Sequence, residues 1–359
     1  SLSMKYTKLE RNWVMYDVGN SALVLLNTSV VPIYFNAINT GASSADLVVA
    51  WGNAQTIASL VIAMLMPILG ALADYAGNKI KFFLGFFLTG LVLCLAQAIP
   101  MSAMAFLTVY VLCTIGLNSS MTFYDAMLPD ITTDERMDAV SSSGYAWGYI
   151  GSTVPFIICL ALIMGGPALG VPTMLATRLS FVITGAWWLI FTLPLIRTYK
   201  QKYGRERGPE DTIGHIVGGV FSEVGHTMRE IAHNKTVLVY MIAFFFYIDG
   251  VYTIIDMATA YGTSLGLNTT GLLLALLLTQ IVAFPASLTF AILSKTKDTA
   301  SLIKVAIIAY FLIALFAVQL DKQWEFWILA VAVGCFQGGI QALYTDRSEE
   351  RRVGKECRS

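Results

Sequence analysis

The chain has 359 residues, of which 56% are hydrophobic and 13% charged, with a formal net charge of zero and a mean hydropathy of +0.67. Such a composition excludes an ordinary soluble domain and makes this an integral membrane protein. A net charge of zero says nothing of partners here, because in a membrane protein the placement of each sign along the chain carries the information.

Ten apolar stretches are long enough to cross a bilayer core, which takes roughly 20 helical residues. In chain order they run 13–36, 47–72, 82–99, 102–125, 140–164, 176–196, 237–261, 270–293, 302–320 and 324–343. The runs are long and continuously apolar, unlike the short alternating segments of a β-barrel, so the expected fold is all-α and polytopic. No short apolar stretch with a small-residue cleavage site opens the chain, and the first span is expected to direct insertion itself. "SLS" ahead of Met4 reads as a remnant before a natural start.

The first span, "NWVMYDVGNSALVLLNTSVVPIYF", carries Asp17, Asn20, Ser21, Asn27 and Thr28. At spacings of three, four and seven these residues share one helix face. Polar groups facing hydrocarbon cost several kcal/mol each unless partnered, so the face should turn inward. It then either lines a cavity or makes interhelical hydrogen bonds, and for Asp17, near one end, both readings stand.

After the second span comes "GALADYAGNKIK", residues 70–81. Gly70 suits close helix approach, Asp74 suits a helix N-terminus, and Gly77 suits a tight turn into the third span. Residues 82–124 hold no charge, and Pro100 is the expected turn between the two spans they contain. In the fourth span Asn118, Thr122 and Asp125 share a face. "LPDITTDERMDAV" follows, and its acids Asp130, Asp134, Glu135 and Asp138, with Arg136, read as a solvated loop with helix caps. The fifth span carries Gly144, Gly148 and Gly151 at close-packing spacing, with Tyr145, Trp147 and Tyr149 as aromatic neighbours that could reach a substrate but read first as packing or interface residues. Residues 197–236 form a charged connection holding all three histidines (His215, His226, His233), expected to be a linker with a short amphipathic helix. Asp249 sits about 12 residues, roughly 18 Å, into the seventh span, where transporter sites gather near the midplane, and Asp256 follows one heptad later. An acid there suits proton coupling or a substrate amine.

Lys5, Lys8 and Arg11 precede the first span, Lys79 and Lys81 follow the second, Arg136 follows the fourth, the segment from Arg197 to Lys235 holds seven more, and Lys295, Lys297 and Lys304 surround the eighth-to-ninth connection. The opposite side has Arg178 and Lys322 alone. The positive-inside rule therefore places the N-terminus in the cytoplasm. Histidines are absent from the spans and the five cysteines lack metal-site spacing, which argues against a haem, copper or other membrane enzyme and for neither metal nor cofactor. No nucleotide-binding loop of the GxxxxGKS/T kind occurs, so energy should come from an ion or solute gradient.

The loop at 70–81 resembles the signature loop of the major facilitator superfamily, with Asp74, Gly77 and Lys79 in place and Tyr75 and Asn78 where basic residues are usual. "NWVMYDVGNSA", "FYDAMLPDITTDERMDAVSSSGYAWGYIGS" (123–152), "FFFYIDGVYTIIDMATAYG" (244–262) and "CFQGGIQAL" (335–343) are similar to the vacuolar amino-acid effluxer-like branch of that superfamily, named for the fungal autophagy-related effluxer. The resemblance extends to Leu343. It implies a secondary transporter, not an enzyme, working by alternating access on a small molecule, with amino-acid efflux as the substrate class; the acid at Asp249 adds protons as the expected coupling ion. A monomer in a bacterial inner membrane, in contact with lipid and not with nucleic acid, is the accompanying expectation. It also implies a division into a six-helix N-terminal bundle (1–196), a cytoplasmic linker (197–236) and a C-terminal bundle with four of its six spans (237–343). The charged tail 344–359 no longer resembles the family and reads either as a truncated or frame-disrupted end or as a natural cytoplasmic tail. The candidate substrate and coupling residues are Asp17, Asn20, Asn27, Asn118, Asp125, Tyr247, Asp249 and Asp256; Gly70, Asp74, Gly77 and Lys79 form the candidate conformational loop. The rival reading is a non-transporting membrane scaffold or an inactive fragment.

Overall fold

A computed structural model describes residues 5–236, 238–239, 242, 262, 265–296 and 299–337. The candidates Tyr247, Asp249 and Asp256, nearly all of the expected seventh span and the tail 344–359 lie outside the described residues.

The described residues are helical almost throughout. Helix α1 spans Lys8–Ile38, α2 Ser44–Ala73, α3 Asn78–Ala96, α4 Ala103–Ala126, the short α5 Leu128–Ile131, α6 Met137–Gly165, α7 Thr173–Thr198 and α8 Ile213–His233. Helices α9 (Thr269–Thr296) and α10 (Thr299–Val318) follow, and α11 covers 323–337. Among the described residues seven helices are long and apolar enough to cross a membrane: α1, α2, α3, α4, α6, α7 and α9. Helix α10 falls on the ninth expected span and α11 on the described part of the tenth.

Local chemistry sets the boundaries. Thr7 caps α1 by accepting from the Glu10 amide at 3.2 Å, a threonine–glutamate pairing three residues apart that satisfies an otherwise orphaned donor. Ser43, Ser102 and Thr212 cap α2, α4 and α8 in the same way. Gly77 begins α3 at φ 79°, a left-handed conformation that glycine adopts without a Cβ penalty. Asp74 is exposed at the C-terminal end of α2 rather than capping an N-terminus. Gly70, expected at a close helix contact, has nothing within 4 Å of where a Cβ would sit; it lines an open groove between α2 and α8.

Helix α1 is the hub, packed against α4, α6 and α7, while α3 packs on α4 and α7. The α3–α4 crossing brings the backbone of Gly90 within 3.0 Å of the Cβ position of Gly116, and small residues at such a crossing let two backbones meet. Trp13 and Tyr124 stack with centroids 4.2 Å apart. They also exchange hydrogen bonds: Trp13 Nε1 donates to the Tyr124 carbonyl at 3.0 Å and the Tyr124 hydroxyl to the Trp13 carbonyl at 2.7 Å. In a low-dielectric bundle such reciprocal bonds fix register as well as distance. A second apolar cluster joins Leu272, Ala275, Tyr310, Ile313, Phe326 and Leu329 of the later helices. Helix α9 bridges the two clusters by packing on α6.

Helix α8 is amphipathic and longer than a short linker helix. It packs against α2, yet none of its residues is buried, and Ile213, Phe221, Val224 and Met228 remain exposed.

Candidate functional site

The polar face of α1 opens onto a cavity. Asp17, Asn20, Ser21, Val24, Leu25 and Thr28 form one wall, Met121 of α4 and Tyr145 and Tyr149 of α6 form a second, and Leu276, Thr279 and Gln280 of α9 with Phe326, Leu329, Ala330, Val333 and Gln337 of α11 close the rest. These α1 residues begin about 14 Å and end about 30 Å along a helix about 46 Å long, which places the cavity around the middle of the span. Its volume of about 120 Å³ accommodates several waters.

Close packing aims this face. Were a Cβ added at Gly148, it would stand 2.7 Å from Ser21 Oγ and 3.4 Å from Asp17 Cγ; at Gly144 it would stand 3.1 Å from Asp17 Oδ2. The α6 glycines thus form a notch that receives Asp17 and Ser21. Ser21 Oγ lies 3.5 Å from both Asp17 Oδ1 and Asn20 Oδ1, a long contact that leaves the carboxylate weakly partnered. Asn20 is 1% exposed, and its amide nitrogen has no partner among the described residues. Thr279 Oγ1 donates to the carbonyls of Ala275 and Ala330 at 3.0 and 3.1 Å, tying α9 to α11 behind the cavity.

The cavity gathers Asp17 and Asn20 from the expected candidates, and Tyr145 and Tyr149, for which the sequence favoured packing or an interface over substrate contact. It leaves others out. Asn27 is buried on another part of α1 with its Oδ1 unpartnered among the described residues. Asn118 turns back on its own helix, donating to the Thr114 carbonyl at 2.9 Å. Asp125 is exposed and off the cavity wall, though close enough for its charge to act on Asp17. Thr279, Gln280 and Gln337 were missed, although glutamines inside apolar spans satisfy the same rule that singled out Asp17.

A second constellation ties the ends of the helices together. Asp130 is 1% exposed rather than solvated as its acidic surroundings suggested. Its Oδ2 accepts from Lys79 Nζ at 3.4 Å and from the Tyr199 hydroxyl at 2.6 Å, while Oδ1 accepts from the amides of Lys202 and Tyr203, each at 3.1 Å. Burial and the adjacent Asp130 carboxylate push the Tyr199 phenol well above its usual range, which keeps it a donor. Gln201 Oε1 accepts from the amides of Gly77 and Lys79 at 3.2 and 3.3 Å. Arg205 exchanges backbone bonds with Asp74 and Ala76, each at 2.9 Å. The segment after α7 thereby clamps the 70–81 loop. Arg136, expected in the same solvated loop as Asp130, grips the buried Glu10 carboxylate through Nη2 at 3.0 Å and Nε at 3.2 Å. Among the described residues no three His, Cys, Asp or Glu side chains gather where they could hold a metal ion.

Residues 53–345 match the family model described as vacuole effluxer Atg22 like. The uncharacterized MFS-type transporter YxiO of Bacillus subtilis (strain 168) is 40% identical over 347 residues, covering 94% of this chain and 80% of that protein. Autophagy-related protein 22-1 of Aspergillus niger is 24% identical over 225 residues, 56% of this chain, and the chain spans 36% of that fungal protein's length. Among solved structures, a point mutant of the nucleoside transporter NupG superposes with a TM-score of 0.62 at 12% identity, covering 91% of this chain and 79% of that one. The xylose transporter XylE from E. coli, in a partially occluded inward-open conformation, gives 0.56 at 12% identity over 95% and 85% of the two chains. At these identities the two structures speak for the fold alone.

Proposed function

Because the chain belongs to the vacuole effluxer Atg22-like family of major-facilitator transporters, we propose that it carries a small solute by alternating access, with the mid-span cavity as the solute's path. The observation that carries this reading is the α1 polar face opening onto a cavity whose other walls come from α4, α6, α9 and α11. A polar face buried in a bundle without internal partners is costly, and a solute passing between helices offsets that cost only while it is bound. Amino-acid efflux is the substrate class we propose, energised by a proton gradient. The N-terminus, with Lys5, Lys8 and Arg11, lies on the cytoplasmic side of a bacterial plasma membrane in this reading.

The test is flux. The purified chain is reconstituted in proteoliposomes loaded with a mixture of unlabelled amino acids, and accumulation of radiolabelled amino acids by counterflow is followed. Asp17→Asn and Asn20→Ala are expected to lower the initial rate at least about tenfold, the scale of one lost charge-assisted contact at 1.4 kcal/mol or more, with an unchanged unfolding midpoint. Wild-type flux in both variants would remove the cavity from the path.

A further inference from the structure

Among the described lining residues Asp17 is the one charged side chain, and no lysine, arginine or histidine shares the wall. It enters no ion pair among the described residues, and its contact with Ser21 is long. Beside it the buried Asn20 presents an amide nitrogen that lacks an acceptor among the described residues. The rings of Tyr145 and Tyr149 stand on a neighbouring wall. A carboxylate in a cleft with low-dielectric walls, with Asp125 close enough to add to the same field, concentrates cations and repels anions. An ammonium brings up to three donors and no acceptor, which suits a carboxylate, while the Asn20 NH2 needs an oxygen. Aromatic faces add attraction for a cation.

Given that the cavity is the solute path proposed above, we infer that it reads the ammonium end of its solute. Asp17 holds the cationic nitrogen, Asn20 holds a nearby carbonyl or hydroxyl oxygen, and a free carboxylate on the solute is not recognised. An amine whose acid is masked as an amide is then accepted. A carboxylic acid whose amine is acylated is refused, because it would bring a negative charge to Asp17 and no cation to offset it.

The experiment uses the full chain with Ser21→Cys in a background where Cys335 and Cys357 are replaced by serine; Cys94, Cys113 and Cys159 are buried and are kept. Modification rates with a cationic trimethylammonium-ethyl and an anionic sulfonatoethyl methanethiosulfonate are compared, each divided by its rate with a free small thiol. The cationic reagent is expected to be favoured about tenfold or more, and Asp17→Asn should lower the ratio severalfold, toward one. A ratio near one in the Asp17 protein, or one that Asp17→Asn leaves unchanged, overturns the charge selection while leaving the transport path intact. If neither reagent reaches the cysteine, the cavity is not open to water, and both the path and the selection fall. L-leucinamide should then protect the cysteine from the cationic reagent, and N-acetyl-L-leucine should not, the apolar side chain being chosen for the Leu276 and Phe326 walls. Protection by the acetylated acid alone, or none by the amide, overturns the inference.

Discussion

Replacing Asp130 by asparagine keeps the shape of the side chain and removes its charge, leaving Lys79, whose side chain is 9% exposed, without a counter-ion. Removing one partner of a buried pair costs about 3–5 kcal/mol because the other charge stays buried. Asp130→Asn should therefore lower the unfolding midpoint in detergent by several degrees. The double variant Lys79→Met/Asp130→Leu should lose less than the two single losses added together, since neither charge is then stranded. An Asp130→Asn protein that melts with wild type would show that the clamp does not support the fold. This residue also marks a limit of sequence reading. Lys79 stood out because it lies in a recognisable loop, whereas Asp130 is one acid in the run "LPDITTDERMDAV" that includes several others. What buries it is the segment 199–203, some 70 residues away, and nothing in a local pattern reports so distant a partner. Glu10 and Arg136, 126 residues apart, were hidden for the same reason. Asp17, by contrast, could be singled out because an acid within an apolar run is conspicuous at any distance from its partners.

At the level of elements, the inward face of α1 follows from helical periodicity, and the α6 glycines announce a close contact, but neither pattern names the helix on the other side. The structure pairs them. The Gly148 Cβ position lies 2.7 Å from Ser21 Oγ and 3.3 Å from the Asp17 carbonyl, so a methyl group there must push the two helices apart or turn Ser21 away. Overpacking of this kind costs about 1–3 kcal/mol. Gly148→Ala should accordingly lower stability in a thermal unfolding series. Ser21→Ala in the same chain should recover most of the loss, because it deletes the atom that clashes. Losses that simply add would mean the two residues do not meet. The α9 and α11 walls were less legible. Half of their lining is Leu, Ala and Val, and such residues look alike whether they face lipid, a neighbouring helix or a cavity. The α8 helix shows another gap of this sort: its apolar stripe was readable, but its length and its seat against α2 were not.

Across the described residues, long apolar runs reported where helices begin and end with errors of a few residues, since the bilayer sets their length. The cavity could not be read this way, because it exists only where separate helices converge. Orientation falls between the two. The hydrogen bonds join Lys5 and Glu10 to Arg136, and Lys79 to Asp130 and the residues after α7. The N-terminus, the α2–α3 loop, the α4–α6 connection and the start of the linker therefore meet at one end of the bundle, which is where the cations are concentrated. The turns at Pro100 and at Gly166–Leu169 belong to the other end. If the cationic end faces the cytoplasm, a cysteine placed at either end should betray its side. Leu169 is 86% exposed and Tyr203 68% exposed, so both tolerate substitution and admit a reagent. In intact cells, Leu169→Cys in the full chain should react with a membrane-impermeant maleimide, and Tyr203→Cys should react only after permeabilisation. The reverse pattern would invert the protein in the membrane and overturn the orientation proposed above. Labelling of both sites in intact cells would contradict the alternation of ends on which the helical bundle depends.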